Sequence, residues 1–363
     1  MPSYVVLVSP SVGGAERRFF DVFTRLRRTG ADVALVGPSS LIDQLTAEHP
    51  ERADVVPALI AVPMGAWSRP AFVRRYRQLL RTLPRGSRFH YPLNCLWFLH
   101  LGRHDTVSMS VADCTSVPGP FSAKRTSVLA WLAFFFVTKV DVLSPTIFAA
   151  MRGYSAAPKM SLTPGGTFLA SPPESASGKT PTVVFLSRLV EGKGIGDLLD
   201  VVGSVWSALR DRVPSDFNFA IAGYGALAAT VADRVQSLAA SGVPISFLGY
   251  AAADRVLPGA AVLLSLQEVT NYPSRVVAEA LMAGCAAIVR DTGDSREFGA
   301  DLPGLVYCRA RLDPEEIADQ LAGLVTRVLG APGFSQEIRR AASARFSADG
   351  YVDYFRDIVV GAS

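Results

Sequence analysis

Residues 4–9 read YVVLVS, a run of apolar, β-prone residues with no alternation of polar and apolar positions. A strand with one face in water alternates, whereas an unbroken run belongs to a strand buried on both faces. Such strands make parallel sheets covered by helices on each side, and the next residues continue that pattern. PSVGGAERR is a glycine-containing turn, FFDVFTRLRRTG places Phe19, Phe20, Phe23 and Leu26 at helical spacing, and ADVALVG (31–37) is a second strand. Strand, turn, helix and strand make a βαβ unit. ADVVPALI, TVSMSV and VDVLS (140–144) are further strand candidates in the same half.

The pattern stops and restarts. Residues 165–182 (GGTFLASPPESASGKTPT) are rich in Gly, Ser, Pro and Thr and read as a linker. After them come the strand TVVFLSRL (182–189), the helix GIGDLLDVVGSVWSAL, and the strands FNFAIAGYG and ISFLGY. AAVLLSL (260–266), CAAIVRD (285–291) and GLVYCR (304–309) complete the set, and three helices follow at Pro314–Leu329, Ser335–Phe346 and Gly350–Val360. A chain of 363 residues has room for two domains. The expected organisation is an N-terminal Rossmann-like domain (1–165), a linker (166–181), a second Rossmann-like domain (182–346), and a C-terminal helix (347–363) packing back on the first domain. Two doubly wound α/β domains of this kind place a ligand cleft between the carboxyl ends of their sheets.

Composition excludes several classes. Hydrophobic residues make up 49% and charged residues 19%, enough apolar material for large cores and against disorder. The four cysteines (Cys95, Cys114, Cys285 and Cys308) are scattered without a CxxC pair, which argues against a disulfide framework or zinc site and fits a reducing cytoplasm. MPSYVVLVSP reads as a first strand rather than a signal peptide. The longest apolar run, Ser127–Val137, falls short of the roughly 20 residues a bilayer demands and reads as a buried helix. Charge is uneven. Residues 1–165 hold 19 Lys and Arg against 10 Asp and Glu, and the remainder hold 17 against 22. The basic half therefore points to an anionic surface or substrate.

Three stretches carry chemistry. In LSRLVEGKGIGDLL (186–199), Arg188 and Lys193 follow a strand and precede a helix, with Gly192 and Gly194 allowing close approach. A planar guanidinium and a compact ammonium beside a helix N-terminus make a phosphate site. SVGGAERR (11–18) presents Gly13 and Gly14 after the first strand. It lacks G-x-G-x-x-G, so a dinucleotide site is poorly supported, and a tight βα turn explains it as well. TNYPSRVVAEALMAG (270–284) puts Ser274, Arg275 and Val276 at a helix N-terminus and a lone carboxylate, Glu279, one turn in.

SVGGAERR, LSRLVEGKG, AGYG, FLGY and NYPSRVVAEALMAG stand in the order and spacing of the retaining glycosyltransferases of family 4, which the chain resembles over nearly its whole length. The resemblance is strongest from Val183 to Glu297 and weakest from about Glu51 to Thr163. It implies a GT-B fold and a nucleotide-sugar donor held by the second domain. Arg188 and Lys193 match the pair that binds the donor diphosphate, and Glu279 matches the carboxylate on the nucleotide ribose. Backbone around Ser274–Val276 reaches the phosphates, Gly13 and Gly14 match the first-domain loop that closes on donor and acceptor, and the turns after Gly223 and at Tyr250 lie near the base.

Two positions depart from the family. Asn271 stands eight residues before Glu279, where a second Glu is usual, and is expected to contact the donor sugar as an uncharged amide. Ala112 and Asp113 stand where a first-domain His is frequent; His90, in RFHYPLN, is the preferred functional histidine, with a structural role the alternative. The resemblance implies same-face transfer in which the departing phosphate takes the acceptor proton, so charge stabilisation by Arg188 and Lys193 matters more than a protein base. No DxD or grouped His is present, and neither metal nor cofactor is expected.

Finally, RPAFVRRYRQLLRTLPRGSR (69–88) has seven arginines and no acid, with Phe72, Tyr76, Leu79, Leu80 and Leu83 at helical spacing. It reads either as a basic helix docking on an anionic membrane near a lipid-linked acceptor, or as a soluble helix with a solvated arginine face. No nucleic-acid-binding fold is evident. The expectation is a retaining, metal-independent glycosyltransferase acting on a glycan or lipid-linked acceptor in bacterial surface polysaccharide or glycolipid synthesis, cytoplasmic or at the inner face of the cell membrane. The alternatives are a nucleotide-sugar epimerase or hydrolase of the same fold and a catalytically silent nucleotide-sugar-binding partner.

Overall fold

The structure is a computed structural model that describes residues 1–92, 95–111, 135–151, 159–164 and 178–361. The chain divides into two compact units, Met1–Pro164 with Asp349–Ser363, and Gly165–Ala348. Each is built on a parallel sheet.

Unit 1 carries seven strands: β1 (Ser3–Val6), β2 (Val33–Pro38), β3 (Leu59–Val62), β4 (Arg88–Tyr91), β5 (Thr106–Val111), β6 (Lys139–Val142) and β7 (Met160–Leu162). Their order is β3-β2-β1-β4-β5-β6-β7, all parallel. The YVVLVS run is buried from Tyr4 to Val8, as a strand covered on both faces must be. Helices α1 (Gly14–Arg28), α2 (Ser39–Glu48), α3 (Arg69–Thr82) and α4 (Pro145–Met151) connect the strands. ADVVPALI is an exception to the strand reading. Residues Pro50–Ala58 form 3₁₀ turns, and the strand starts only at Leu59. Pro57, which lacks an N–H for the ladder, accounts for the late start.

Unit 2 repeats the plan with β8 (Thr180–Leu186), β9 (Asn218–Ala222), β10 (Ile245–Gly249), β11 (Ala260–Ser265), β12 (Ala286–Arg290) and β13 (Leu305–Cys308). Their parallel order is β10-β9-β8-β11-β12-β13. Counted within the unit, that is the 3-2-1-4-5-6 order of a dinucleotide-binding fold. All six residues of β11 are buried, so its apolar run is fully used. The helices are α5 (Ile195–Leu209), α6 (Ala228–Ala240), α7 (Ala253–Val256), α8 (Arg275–Met282), α9 (Pro314–Gly330) and α10 (Pro332–Arg345). Helix α9 packs on α5, and α10 packs on α8.

The last helix, α11 (Ala348–Val359), belongs to unit 1. Phe355 is fully buried, with its ring edge-on to Phe19 at 5.1 Å. Tyr354 donates its hydroxyl to the buried Asp141 at 2.6 Å, and Ser108 donates to the Ile358 carbonyl at 3.2 Å. Asp141 also accepts from Ser110 and Thr163. Burial raises its carboxyl above the usual range, and those three donors oppose the rise. Among the described residues no helix is long and apolar enough to cross a membrane. The apolar run at Ser127–Val137 lies outside the described residues up to position 134, as does most of the expected linker.

Candidate functional site

In an open doubly wound sheet the order reverses between two neighbouring strands, and the loops leaving their carboxyl ends diverge to leave a crevice. In unit 2 those strands are β8 and β11. The loop after β8 carries Arg188 and Lys193; the loop after β11 carries Gln267 to Ser274. The fold therefore brings together two motifs about eighty residues apart in sequence.

Close backbone approach joins the loops. The Glu268 N–H donates to the Gly192 carbonyl at 3.1 Å. Gly194 has φ +78°, and a Cβ there would sit 2.0 Å from the Leu266 carbonyl oxygen. Gly223, at the end of β9, is equally confined, since a Cβ would lie 2.0 Å from the Ser187 carbonyl oxygen; its N–H donates to Gly249 at 2.8 Å.

Arg188 is exposed, while Lys193 is half-buried with its Nζ donating to Gln267 Oε1 at 2.5 Å. Burial lowers the Lys193 pKa and the neighbouring Arg188 charge lowers it further. Two cations near one another at a crevice suit an anion of more than one charge.

Across the crevice, α8 begins at Arg275 with Ser274 as its N-cap. Ser274 is buried, and its hydroxyl makes no hydrogen bond among the described residues. At a helix start the first backbone N–H groups have no carbonyl of their own helix to meet, and the Ser274 hydroxyl stands beside them. Val276 is half-buried at the same turn, and Glu279 is buried with Oε1 accepting from Arg275 Nε at 2.7 Å. The apolar helix start thus holds its one carboxylate beside a cation one turn back. At the ends of β9 and β10, Tyr224 and Tyr250 stand edge to face at 5.6 Å, with Tyr250 73% exposed. Together they place two aromatic rings side by side at the strand ends.

Two of the expected site residues are turned into the fold. The sequence reading puts Asn271 against the donor sugar. Instead Asn271 is 1% exposed, and its polar groups are engaged within the fold. Its Oδ1 accepts from Ser265 Oγ at 2.6 Å and Gln267 Nε2 at 3.2 Å; its N–H donates to Ser295 Oγ at 2.9 Å and its Nδ2 to the Arg290 carbonyl at 3.3 Å. Asn271 lies in the loop between β11 and α8, with its amide turned inward. His90 likewise does not face an open surface. It is fully buried on β4, with Nδ1 at 3.0 Å from Ser108 Oγ and Nε2 at 3.2 Å from Ser110 Oγ, against the rings of Phe19 and Phe355. Burial pushes its pKa down to about 3, so it is a neutral core histidine. Asp113 lies outside the described residues.

In unit 1 the Gly13 N–H donates to Glu16 Oε2 at 2.9 Å at the head of α1. Gly14 is exposed with open space around it. Sequence reasoning missed Gln267 and Tyr224. Gln267 gives no motif signal, since its role exists only once Lys193 is folded against it. Tyr224 sits inside the AGYG turn and was visible there as an aromatic in a glycine turn.

Residues 180–327 match the family model for glycosyl transferases group 1, which covers the elements that build this crevice. No curated protein matches the chain by sequence. Among solved structures, Anabaena Alr3699/HepE in complex with UDP and glucose is similar at a TM-score of 0.74 and 14% identity, covering 98% of this chain and 99% of that one. A glycosyltransferase from Rickettsia africae ESF-5 is similar at 0.71 and 13%, covering 98% of each chain. WaaG, a glycosyltransferase involved in lipopolysaccharide biosynthesis, is similar at 0.67 and 13%, covering 99% of this chain and 100% of that one. The fold is that of the GT-B glycosyltransferases, two Rossmann-like α/β domains each with a parallel sheet.

Proposed function

We propose that this protein is a glycosyltransferase that moves a sugar from a nucleoside-diphosphate sugar to an acceptor hydroxyl with retention of anomeric configuration. The observation that carries the reading is the donor cluster at the β8–β11 crevice: Arg188 and Lys193 on one loop and the head of α8 with Ser274 on the other. The family match over the same residues supports it.

A diphosphate bound there meets Arg188 and Lys193 from one side and the Ser274–Val276 backbone from the other. Arg275 holds Glu279 in place, and Glu279 accepts from the ribose hydroxyls. Tyr224 and Tyr250, beyond Gly223, stack on the base. As the bond from anomeric carbon to phosphate oxygen breaks, negative charge grows on the departing diphosphate, and preorganised cations stabilise it there. The acceptor oxygen bonds the same face of the anomeric carbon, and its proton passes to the departing phosphate. These cations supply the charge a metal would bring, so the reading is metal-independent and needs no cofactor. In unit 1 the Gly13–Gly14 turn is the acceptor-side element. The acceptor is a glycan or lipid-linked sugar of surface polysaccharide or glycolipid synthesis, and the arginine face of α3 holds the enzyme to anionic lipid at the inner face of the membrane.

UDP is the first nucleotide to try, since it is bound in the Anabaena structure. Titrating it into the full chain is expected to raise the melting temperature, and Glu279→Ala to weaken that effect. With a UDP-sugar and acceptor, Lys193→Ala is expected to lower kcat by about 10²–10³, the usual loss for removing one transition-state donor. Turnover unchanged in Lys193→Ala would remove the crevice from the chemistry. Epimer or free sugar formed from donor alone at full rate would replace transfer by epimerisation or hydrolysis.

A further inference from the structure

Lys193 is held by one amide, and that amide is oriented by another. An ammonium has only donors, so Gln267 must present Oε1 to it, at 2.5 Å. This turns Gln267 Nε2 towards Asn271, whose Oδ1 accepts it at 3.2 Å. Asn271 Nδ2 then faces the Arg290 carbonyl at 3.3 Å, a group that only accepts. With a donor-only group at one end and an acceptor-only group at the other, both amides have one allowed orientation, set by chemistry rather than by choice of atom labels.

The relay is also anchored. Thr292 Oγ1 donates to the Gln267 carbonyl at 2.9 Å, and the Asn271 N–H donates to Ser295 Oγ, whose hydroxyl donates to the Thr292 carbonyl at 2.5 Å. Ser265 Oγ donates to Asn271 Oδ1 from the end of β11. Asn271 is 1% exposed, so its amide is fixed by surroundings that water does not reach.

We propose that Gln267 and Asn271 form an orienting relay that aims Lys193 into the crevice and holds it in its charged form, Asn271 acting only through Gln267. The proposal rests on the reading above in making Lys193 the cation that meets the leaving diphosphate. Both members are positioning residues. Neutral amides suit the task for a physical reason. A carboxylate at 267 would hold Lys193 equally well but cancel its charge. A carboxylate at 271 would be a buried charge without a donor for the Arg290 carbonyl. An amide pair keeps the ammonium in place and leaves its full charge for the anion. Without an acceptor, burial and the Arg188 charge both favour the neutral amine.

The test is an NMR titration of the Lys193 side chain in the full-length free protein, assigned by its loss in Lys193→Arg. Gln267→Met, at a half-buried position where the shape is kept, is expected to lower the Lys193 midpoint by about one pH unit, the worth of a hydrogen bond to a charged group. Gln267→Glu is expected to raise it. Asn271→Ala is expected to lower it in the wild-type background and to add nothing on top of Gln267→Met, because it acts through that side chain. Asn271→Ser serves the same comparison if the alanine variant does not fold. The alkaline limb of kcat/KM should move with the midpoint in each variant. An unmoved midpoint in Gln267→Met overturns the relay, and so does a full Asn271 shift that persists without Gln267. These outcomes are read on the free protein. Loss of the Lys193→Ala effect on turnover would sink the functional reading alone, so the two failures are distinguishable.

Discussion

Gly192 and Gly194 flank Lys193 with the same backbone angle, φ +78°, yet they do different work. A Cβ at Gly192 meets nothing within 4 Å, whereas at Gly194 it would lie 2.0 Å from the Leu266 carbonyl oxygen. Gly192→Ala should therefore cost only the left-handed conformation, roughly 1–2 kcal/mol. Gly194→Ala should cost that and also push the two crevice loops apart. Chemical denaturation of both variants checks the stability difference, and UDP titration checks that only Gly194→Ala loses affinity strongly. Equal effects would mean the close approach of the loops is unimportant. Glycines around a lysine after a strand are legible in sequence, because their spacing is local. Which way Asn271 or His90 points is not. His90 stands on β4 and Asn271 in the loop after β11, and at each the surrounding fold decides whether the side chain faces outward or into the core. Gln267 was invisible for the same reason, since its partner lies 74 positions away.

At the scale of elements, α3 shows what periodicity reveals and what it conceals. Phe72, Tyr76 and Leu80 are buried as their spacing requires. Arg69, Arg74, Arg75, Arg77, Arg81 and Arg85 are exposed, and none has an ion pair or side-chain hydrogen bond among the described residues. The apolar face is already spent on the core of unit 1, so the helix has no greasy side left to insert into lipid. An attraction of this helix to a membrane would then be purely electrostatic. Vesicle sedimentation should find binding to anionic but not zwitterionic vesicles, lost as salt shortens the screening length. Replacing Arg74, Arg77 and Arg81 by Gln together should weaken partitioning on the order of a hundredfold, at about 1 kcal/mol per residue. Binding unchanged by those substitutions would leave the arginines as a solvated face. The 3₁₀ stretch Pro50–Ala58 shows the opposite limit, where an apolar run looked like a strand and one proline delayed it.

Across the whole molecule, the doubly wound plan was readable because parallel strands buried on both faces leave unbroken apolar runs, and β1 and β11 are examples. The order of strands within each sheet was not written locally; it follows from how the crossovers wind. Unit 2 is one continuous segment, whereas unit 1 needs α11 from the far end of the chain. Residues 178–348 expressed alone should therefore unfold cooperatively, and residues 1–164 alone should not, since Phe19 and Asp141 lose Phe355 and Tyr354. Urea titrations followed by circular dichroism check both, and cooperative unfolding of 1–164 would contradict the dependence. The same stitching sets a timetable at the ribosome. Once residue 164 is made, residues 1–164 must wait for α11 roughly 10–40 s at about 5–20 residues per second. During that interval unit 2 can already fold, so the unit begun first is the one completed last.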